Sequence, residues 1–271
     1  MKKKKNVNLV LGCTITAVML LLILVGFFWT PYDPETMDAS AKFAGVSLRH
    51  PCGADNFGRD ILSRIMIGAG TTFLVACGTV AIGVFFGMLI GAFTGYFGGV
   101  VDEVLMRIND VVFAFPSILL AMVMMVLLKG RKYQIVIALG IAFIPSFARI
   151  VRGEFIRCKS MDYVQSARLM GAGHLRIMFV HILPNTIPVL VSSIMIGFNN
   201  AVLAEASMSF LGLGVQIPVA SWGSMLQGAQ AHILDTPRLA VFPGLLILIT
   251  VLSFNLLGDV LRTTLEPKIS E

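Results

Sequence analysis

Six runs of apolar residues with almost no charge constrain this chain before any other feature does. They cover 7–30, 71–96, 111–128, 135–150, 187–208 and 241–257. A helix needs roughly 20 such residues to cross a hydrocarbon core about 30 Å thick. Of the 271 residues, 56% are hydrophobic and 13% charged. That is about half the charged fraction of a soluble domain, so polar groups cannot cover the folded surface. The expected fold is an all-α polytopic membrane protein with six transmembrane helices. The fourth run is the short one, and Pro145 is expected to break it.

The first run follows MKKKK and is too long for the apolar core of a cleaved leader. Bulky FFWTPYDP follows it, where a leader would carry small residues. It reads as a retained helix with its lysines in the cytoplasm and Trp29 and Tyr32 at the far interface. Six spans then put both termini in the cytoplasm. On that topology 13 Lys and Arg fall inside and 8 outside, with KGRK at 129–132 running against the bias. Three segments follow: 1–30 as cytoplasmic start and first helix, 31–70 as an extracytoplasmic segment, and 71–271 as a five-helix core.

In the extracytoplasmic segment, GRDILSRIMIG places Ile61, Leu62, Ile65 and Met66 on one helical face. Arg59, Asp60, Ser63 and Arg64 fall on the other. This pattern predicts a helix lying in the membrane interface, or else a surface helix packed on its own loop. The second outside segment, 212–240, is rich in Gly, Pro and Ser and reads as an ordered loop around Trp222.

Small and polar residues within the spans carry the remaining signal. Gly83, Gly87, Gly91 and Gly95 recur every four residues, a stripe for close helix approach within the subunit or at a subunit interface. Asn199, Asn200, Glu205 and Asn255 are candidates for a translocation path, because polar groups in spans face a bundle interior or water. For Glu205 a hydrogen-bonded structural role is the first reading and the path the second. Asp110, Arg149 and Asp259 sit near span ends.

Several classes of function find no support. The net charge of +6 comes from basic residues flanking apolar runs, not gathered on one face, which excludes nucleic-acid binding. The four Cys and four His are scattered, and Met122, Met124 and Met125, close together among the 15 Met, read as gap-fillers in an apolar helix, so no metal site and no cofactor is expected. GxxxxGK[ST], HExxH and GxSxG are all missing. Energy for uphill transport would have to come from another chain.

One stretch is too long for a turn and too apolar for a solvated loop: DYVQSARLMGAGHLRIMFVHILPN, 162–185. Ser160 or Asp162 can cap a short helix to Met170, GAG gives a bend, and a second helix runs from His174 until Pro184 stops it. Leu175, Met178, Phe179 and Ile182 share a face, with Arg176 pointing away. The bare pattern fits a docking unit as well as an amphipathic loop lying on the bilayer.

QSARLMG followed by HILPN resembles the EAA loop of permease subunits in bacterial ATP-binding-cassette importers. Gly171, Leu183 and Pro184 match that motif in spacing, and Ala167 fills its last Ala. Gln165 and Ser166 replace its Glu and first Ala. HPCGADNFGRDILSRIMIGA, MSFLGLGV, SWGSML, FPG and FNLLGDVLR resemble further blocks of the dipeptide, oligopeptide and nickel branch, second-permease type. The resemblance implies a type I importer permease without catalytic activity of its own. Its loop at 160–185 would be a coupling helix docking on a cytoplasmic ATPase, through Tyr163, Gln165, Ser166, Ala167, Gly171, Ala172, Arg176, Leu183 and Pro184. The implied partners are a homologous permease, two ATP-binding subunits and an extracytoplasmic binding protein, in the bacterial cytoplasmic membrane. Peptides are the implied substrate, with nickel or a nickel chelate as the alternative. An ion-driven secondary transporter and an intramembrane enzyme are the rivals of other classes; no inverted repeat and no catalytic dyad is visible for either.

Overall fold

A computed structural model describes residues 2–128, 133–216 and 218–265. KGRK at 129–132 and Lys268 lie outside these residues. Among the described residues ten α-helices follow one another: α1 (Lys2–Phe28), α2 (Ile61–Phe97), α3 (Gly99–Phe113), α4 (Ser117–Leu127), α5 (Gln134–Lys159), α6 (Asp162–Leu169), α7 (His174–Arg176), α8 (Leu183–Phe210), α9 (Trp222–Ala229) and α10 (Arg238–Leu265). A π-helical segment, Ile177–Ile182, joins α7 to α8. Five of the helical stretches are long and apolar enough to cross a membrane, or six if α3 and α4 together make one span. The chain forms two compact units, Met1–Cys77 with Asn199–Leu256, and Gly78–Phe198 with Leu257–Glu271.

In the first unit, α1 lies against the start of α2 so closely that a Cβ on Gly26 would sit 2.9 Å from the Met66 backbone. It also meets α10, where Ser253 Oγ donates to the Gly12 carbonyl at 3.0 Å and the Thr16 and Ser253 hydroxyls are bonded. The separate interfacial helix expected near residue 60 does not form. Those residues are the first turns of the 37-residue α2. Ile61 and Ile65 are buried in a cluster with Ala229 and Leu239. The polar face is buried as well: Asp60 Oδ2 accepts from Ser63 N at 2.8 Å and Ser63 Oγ at 2.7 Å, capping the helix. The amphipathic pattern was real, but both of its faces have protein partners.

The second unit holds the latter part of α2 and the helices α3 to α7. The third apolar run is not a straight span. Pro116 cannot donate in a first turn and disfavours helix at Phe115, so α3 and α4 meet at a bend of 91°. Pro145 produces the opposite departure. Helix α5 runs through it for 26 residues, ten beyond the expected 16, and Asn109 Nδ2 reaches the Pro145 carbonyl at 3.4 Å. Both α3 and α4 pack on α5.

The glycine stripe of α2 faces α5. A Cβ on Gly83 would lie 3.0 Å from the Phe147 ring, on Gly87 2.6 Å from Phe147 Cβ, on Gly91 2.5 Å from the Ala148 carbonyl oxygen, and on Gly95 2.6 Å from Phe155 Cβ. The contacts at Gly87, Gly91 and Gly95 need the bare backbone of glycine, and the stripe packs within this chain. Below it, Arg152 makes a two-pronged ion pair with Asp102, Nε–Oδ1 and Nη2–Oδ2 both at 2.6 Å. Arg149 bonds Asp110 at 2.7 Å and stacks 3.8 Å from the Phe113 ring centroid.

Candidate functional site

The interruption at 162–185 belongs to the second unit. Helix α5 ends at Lys159, Ser160 and Met161 turn the chain, and α6 begins. Neither expected cap is made: Met161 holds the N-cap position, and Ser160 Oγ donates back to the Arg157 carbonyl at 2.9 Å. Asp162 stays in the first turn, where its charge suits the positive end of the helix dipole. Val164 and Ala167 are buried and seat α6 on the 177–182 segment. Tyr163, Gln165, Ser166 and Arg168 face outward, and Gln165 Nε2 donates to the Ser160 carbonyl at 3.2 Å. Burial and the Cys158 thiol push the Tyr163 phenol up to about 12, so it is a neutral donor at physiological pH.

Helix α6 ends in a Schellman turn. Gly171 N donates to the Arg168 carbonyl at 3.0 Å and Ala172 N to the Ala167 carbonyl at 3.1 Å, with Gly171 at φ +82°. This left-handed backbone is what glycine supplies without a Cβ clash. His174 then opens α7 and shares a 2.9 Å hydrogen bond with the Tyr96 hydroxyl at the end of α2. Lys159 Nζ lies 5.6 Å from the same ring. Both arms of the loop are therefore pinned to one tyrosine. No spacing in the sequence announces a contact between residues 78 apart.

Pro184 does not stop the second helix. The chain continues from α7 through the π-helical segment into α8 as one 37-residue stretch, His174–Phe210. A proline ring clashes with the carbonyl four residues earlier, and the wider i→i+5 turn before Leu183 opens the backbone there. The same turn rotates the face. Ile177, Met178 and Ile182 are fully buried, while Leu175, expected on that side, is exposed. Leu169 and Met170 are 89% and 81% exposed. Together with Leu175 they form an apolar tip beside Arg168, Ala172 and Arg176; Leu183 is half-buried and Pro184 exposed.

The other polar constellation lies in the first unit. Glu205 is 0% exposed. Its Oε2 accepts from Thr72 Oγ1 at 3.2 Å and its Oε1 from Ser209 Oγ at 2.7 Å. Each hydroxyl in turn accepts a loop N–H, from Trp222 to Thr72 at 3.2 Å and from Val215 to Ser209 at 3.0 Å. Trp222 Nε1 also donates to the Ile65 carbonyl at 3.2 Å. Glu205 is thus an enclosed anchor that ties the segment after α8 to the helices, as the hydrogen-bonded reading of this residue has it. Glu205→Leu strands two buried hydroxyls and should cost about 2–4 kcal/mol. Glu205→Gln, which keeps one acceptor, should cost less than half of that, and thermal unfolding of the purified protein measures both.

The remaining path candidates divide. Asn199 is buried and donates through Nδ2 to Asn255 Oδ1 at 2.7 Å, and Asn255 is exposed. Asn200 is exposed on the α8 face that also carries Leu203, Ser207 and Phe210. Leu203, Ser207 and Phe210 line an open cavity of about 510 Å³ with Leu226, Gly244 and Ile247. Helix α9, in a segment expected to be a loop, completes this region. Its signal was the pair Ser221 and Ser224, which form a reciprocal capping box.

Residues 83–271 match the family of binding-protein-dependent transport system inner membrane components. The chain is 41% identical over 255 residues to the glutathione transport system permease protein GsiD of Pectobacterium atrosepticum, covering 93% of this chain and 85% of that one. It is 43% identical over 263 residues to GsiD of Escherichia coli O6:K15:H31, with coverages of 96% and 87%. A solved structure of the MetNI methionine ABC transporter in an inward-facing conformation shares the fold, with TM-score 0.60 and 18% identity over 73% of this chain and 94% of that one. The chain belongs to the family of inner-membrane permease components of binding-protein-dependent ABC importers.

Proposed function

We propose that this chain is one of two permease subunits of an importer for short peptides, glutathione among them. The relatives named as glutathione permeases favour a peptide over nickel. The reading carries a homologous permease, two cytoplasmic ATPases and an external binding protein as partners, with both termini in the cytoplasm and no chemistry on this chain. One observation carries the mechanism: a rigidly pinned helix–turn–helix with Leu169, Met170 and Leu175 exposed at its tip. An apolar tip with a basic rim fits a groove on a partner protein. The 177–182 segment continues into α8, the helix that carries Asn200 and Ser207. These two and Asn255 are the proposed polar contacts along the path.

The test is reconstitution of the full assembly in vesicles with labelled glutathione. Uptake should require the binding protein and ATP, and should fall to background with a hydrolysis-deficient ATPase. Uptake by this chain alone, driven by a proton or sodium gradient, would sink the reading.

A further inference from the structure

Tyr96 stands where three helix ends meet. It lies in the last turn of α2 and is buried. Its hydroxyl shares the 2.9 Å hydrogen bond with Nδ1 of His174, the first residue of α7, and the two rings meet edge to face at 5.7 Å. Phe97 lies against the same imidazole, with ring centroids 5.9 Å apart. Lys159, the last residue of α5, places Nζ 5.6 Å from the Tyr96 ring, within reach of a cation–π contact. The end of α2 is itself held on α5: a Cβ on the adjacent Gly95 would lie 2.6 Å from Phe155 Cβ, and Phe155 is fully buried.

These contacts bracket the exposed part of the loop. Its non-helical joints are 160–161, before α6, and 170–173, after it. Lys159 stands just before the first joint and His174 just after the second. Helix α6 and the apolar tip are thus strung between two residues that touch the same side chain. A joint absorbs a displacement when the segments on its two sides turn freely, and here both sides are held to the end of α2. We propose that Tyr96 is a positioning residue of the coupling step. Its hydroxyl fixes the loop to the seam of α2 and α5, so that loop and seam move as one body when the tip is displaced. Tyr96 acts in this way only if the tip engages the ATPase, as read above; the addition is α2 as an element that the loop engages, through a side chain far from the loop in sequence.

The experiment uses the assembled importer in vesicles and measures labelled glutathione moved per ATP hydrolysed, normalised to assembled complex. Tyr96→Phe keeps the ring and removes the hydroxyl. His174→Ala removes its partner, and His174→Asn keeps an amide atom close to where Nδ1 stands. The ratio should fall about threefold to tenfold in Tyr96→Phe and in His174→Ala, the range that an ordinary hydrogen bond carries. The double variant should be no worse than either single one, because both remove the same bond. His174→Asn should keep most of the ratio. A lower Tm with an unchanged ratio makes Tyr96 a packing residue only and overturns the proposal, as do single losses that multiply in the double variant. Amide hydrogen exchange over 160–176 in the same complexes, without ATP, is the second reading. It should be about threefold or more faster in Tyr96→Phe and His174→Ala than in the unmodified protein. Equal exchange overturns the proposal whether or not the assembly transports. If the unmodified assembly moves no glutathione, the import reading fails, and the exchange alone then decides whether Tyr96 holds the loop.

Discussion

Gly91→Leu should leave almost no folded protein, although the substitution adds an apolar side chain to an apolar helix. The position of its Cβ would be 2.5 Å from the Ala148 carbonyl oxygen and 2.8 Å from both Arg152 N and Val151 Cβ. Two of these three atoms are backbone, so no side chain can move aside and the helices must separate. Separation undoes the contacts at Gly87 and Gly95 as well, because all three lie on one line. In a bilayer this loss weighs heavily, since lipid replaces helix surface at no hydrophobic gain and close packing is what holds helices together. A cost of about 3 kcal/mol or more follows, at the upper end of overpacking in ordinary cores. Gly153→Leu is the control: it sits on the facing helix α5, is exposed, and has nothing within 4 Å of its Cβ position. Detergent-solubilised protein followed by gel filtration and thermal unfolding should show loss of the monodisperse peak for Gly91→Leu alone. Equal behaviour of the two variants would show that α2 and α5 do not depend on this seam.

What could be read from the sequence differs between these helices for physical reasons. A spacing of four residues fixes a stripe on a helix face, so Gly83 to Gly95 declared a close approach before any partner was known. The partner, α5, was not legible, because residues 143–155 carry an ordinary apolar pattern with no mark of what packs on them. Prolines misled in both directions. Pro116 bends its run by 91°, Pro145 is carried through a 26-residue helix, and Pro184 is absorbed by a π turn. Proline removes one hydrogen bond and adds one clash wherever it stands, and only the tertiary surroundings decide whether a helix absorbs that cost. The Asp55–Arg59–Asp60–Arg64 stretch shows a related blind spot. Alternating charge on a helical face reads as solvated until its counter-charges are seen to lie on the same short segment. A hydrogen-bonded role for Glu205 could be read from the cost of a carboxyl in a span, but not its partners, because Thr72 is 133 residues away. The bend at Gly171 was legible from GAG itself, since few residues other than glycine hold the left-handed conformation that ends α6.

That bend carries the second large effect. Gly171→Val should reduce transport by the assembled importer at least tenfold while leaving insertion and basal ATP hydrolysis in place. Gly171 sits at φ +82°, and a Cβ there would meet nothing within 4 Å. The penalty is therefore one of backbone conformation alone, about 1–2 kcal/mol for an ordinary residue and more for a β-branched one. That is too little to unfold the membrane core, which the exposed turn does not touch. It is enough to open the Schellman turn, losing the Gly171-to-Arg168 and Ala172-to-Ala167 hydrogen bonds. Leu169 and Met170 then leave their fixed relation to Leu175, and the tip no longer presents one surface to a partner. Gly171→Asn, which tolerates the left-handed region, should keep most of the activity, and that contrast separates backbone geometry from side-chain bulk. The measurement is paired: peptide uptake and ATP hydrolysis in the same vesicles, with the amount of assembled complex determined by pull-down of the ATPase. If Gly171→Val transports like the unmodified protein, the tip does not couple the ATPase to the path. If assembly fails instead, the turn is needed for docking itself, a stronger form of the same dependence on Gly171.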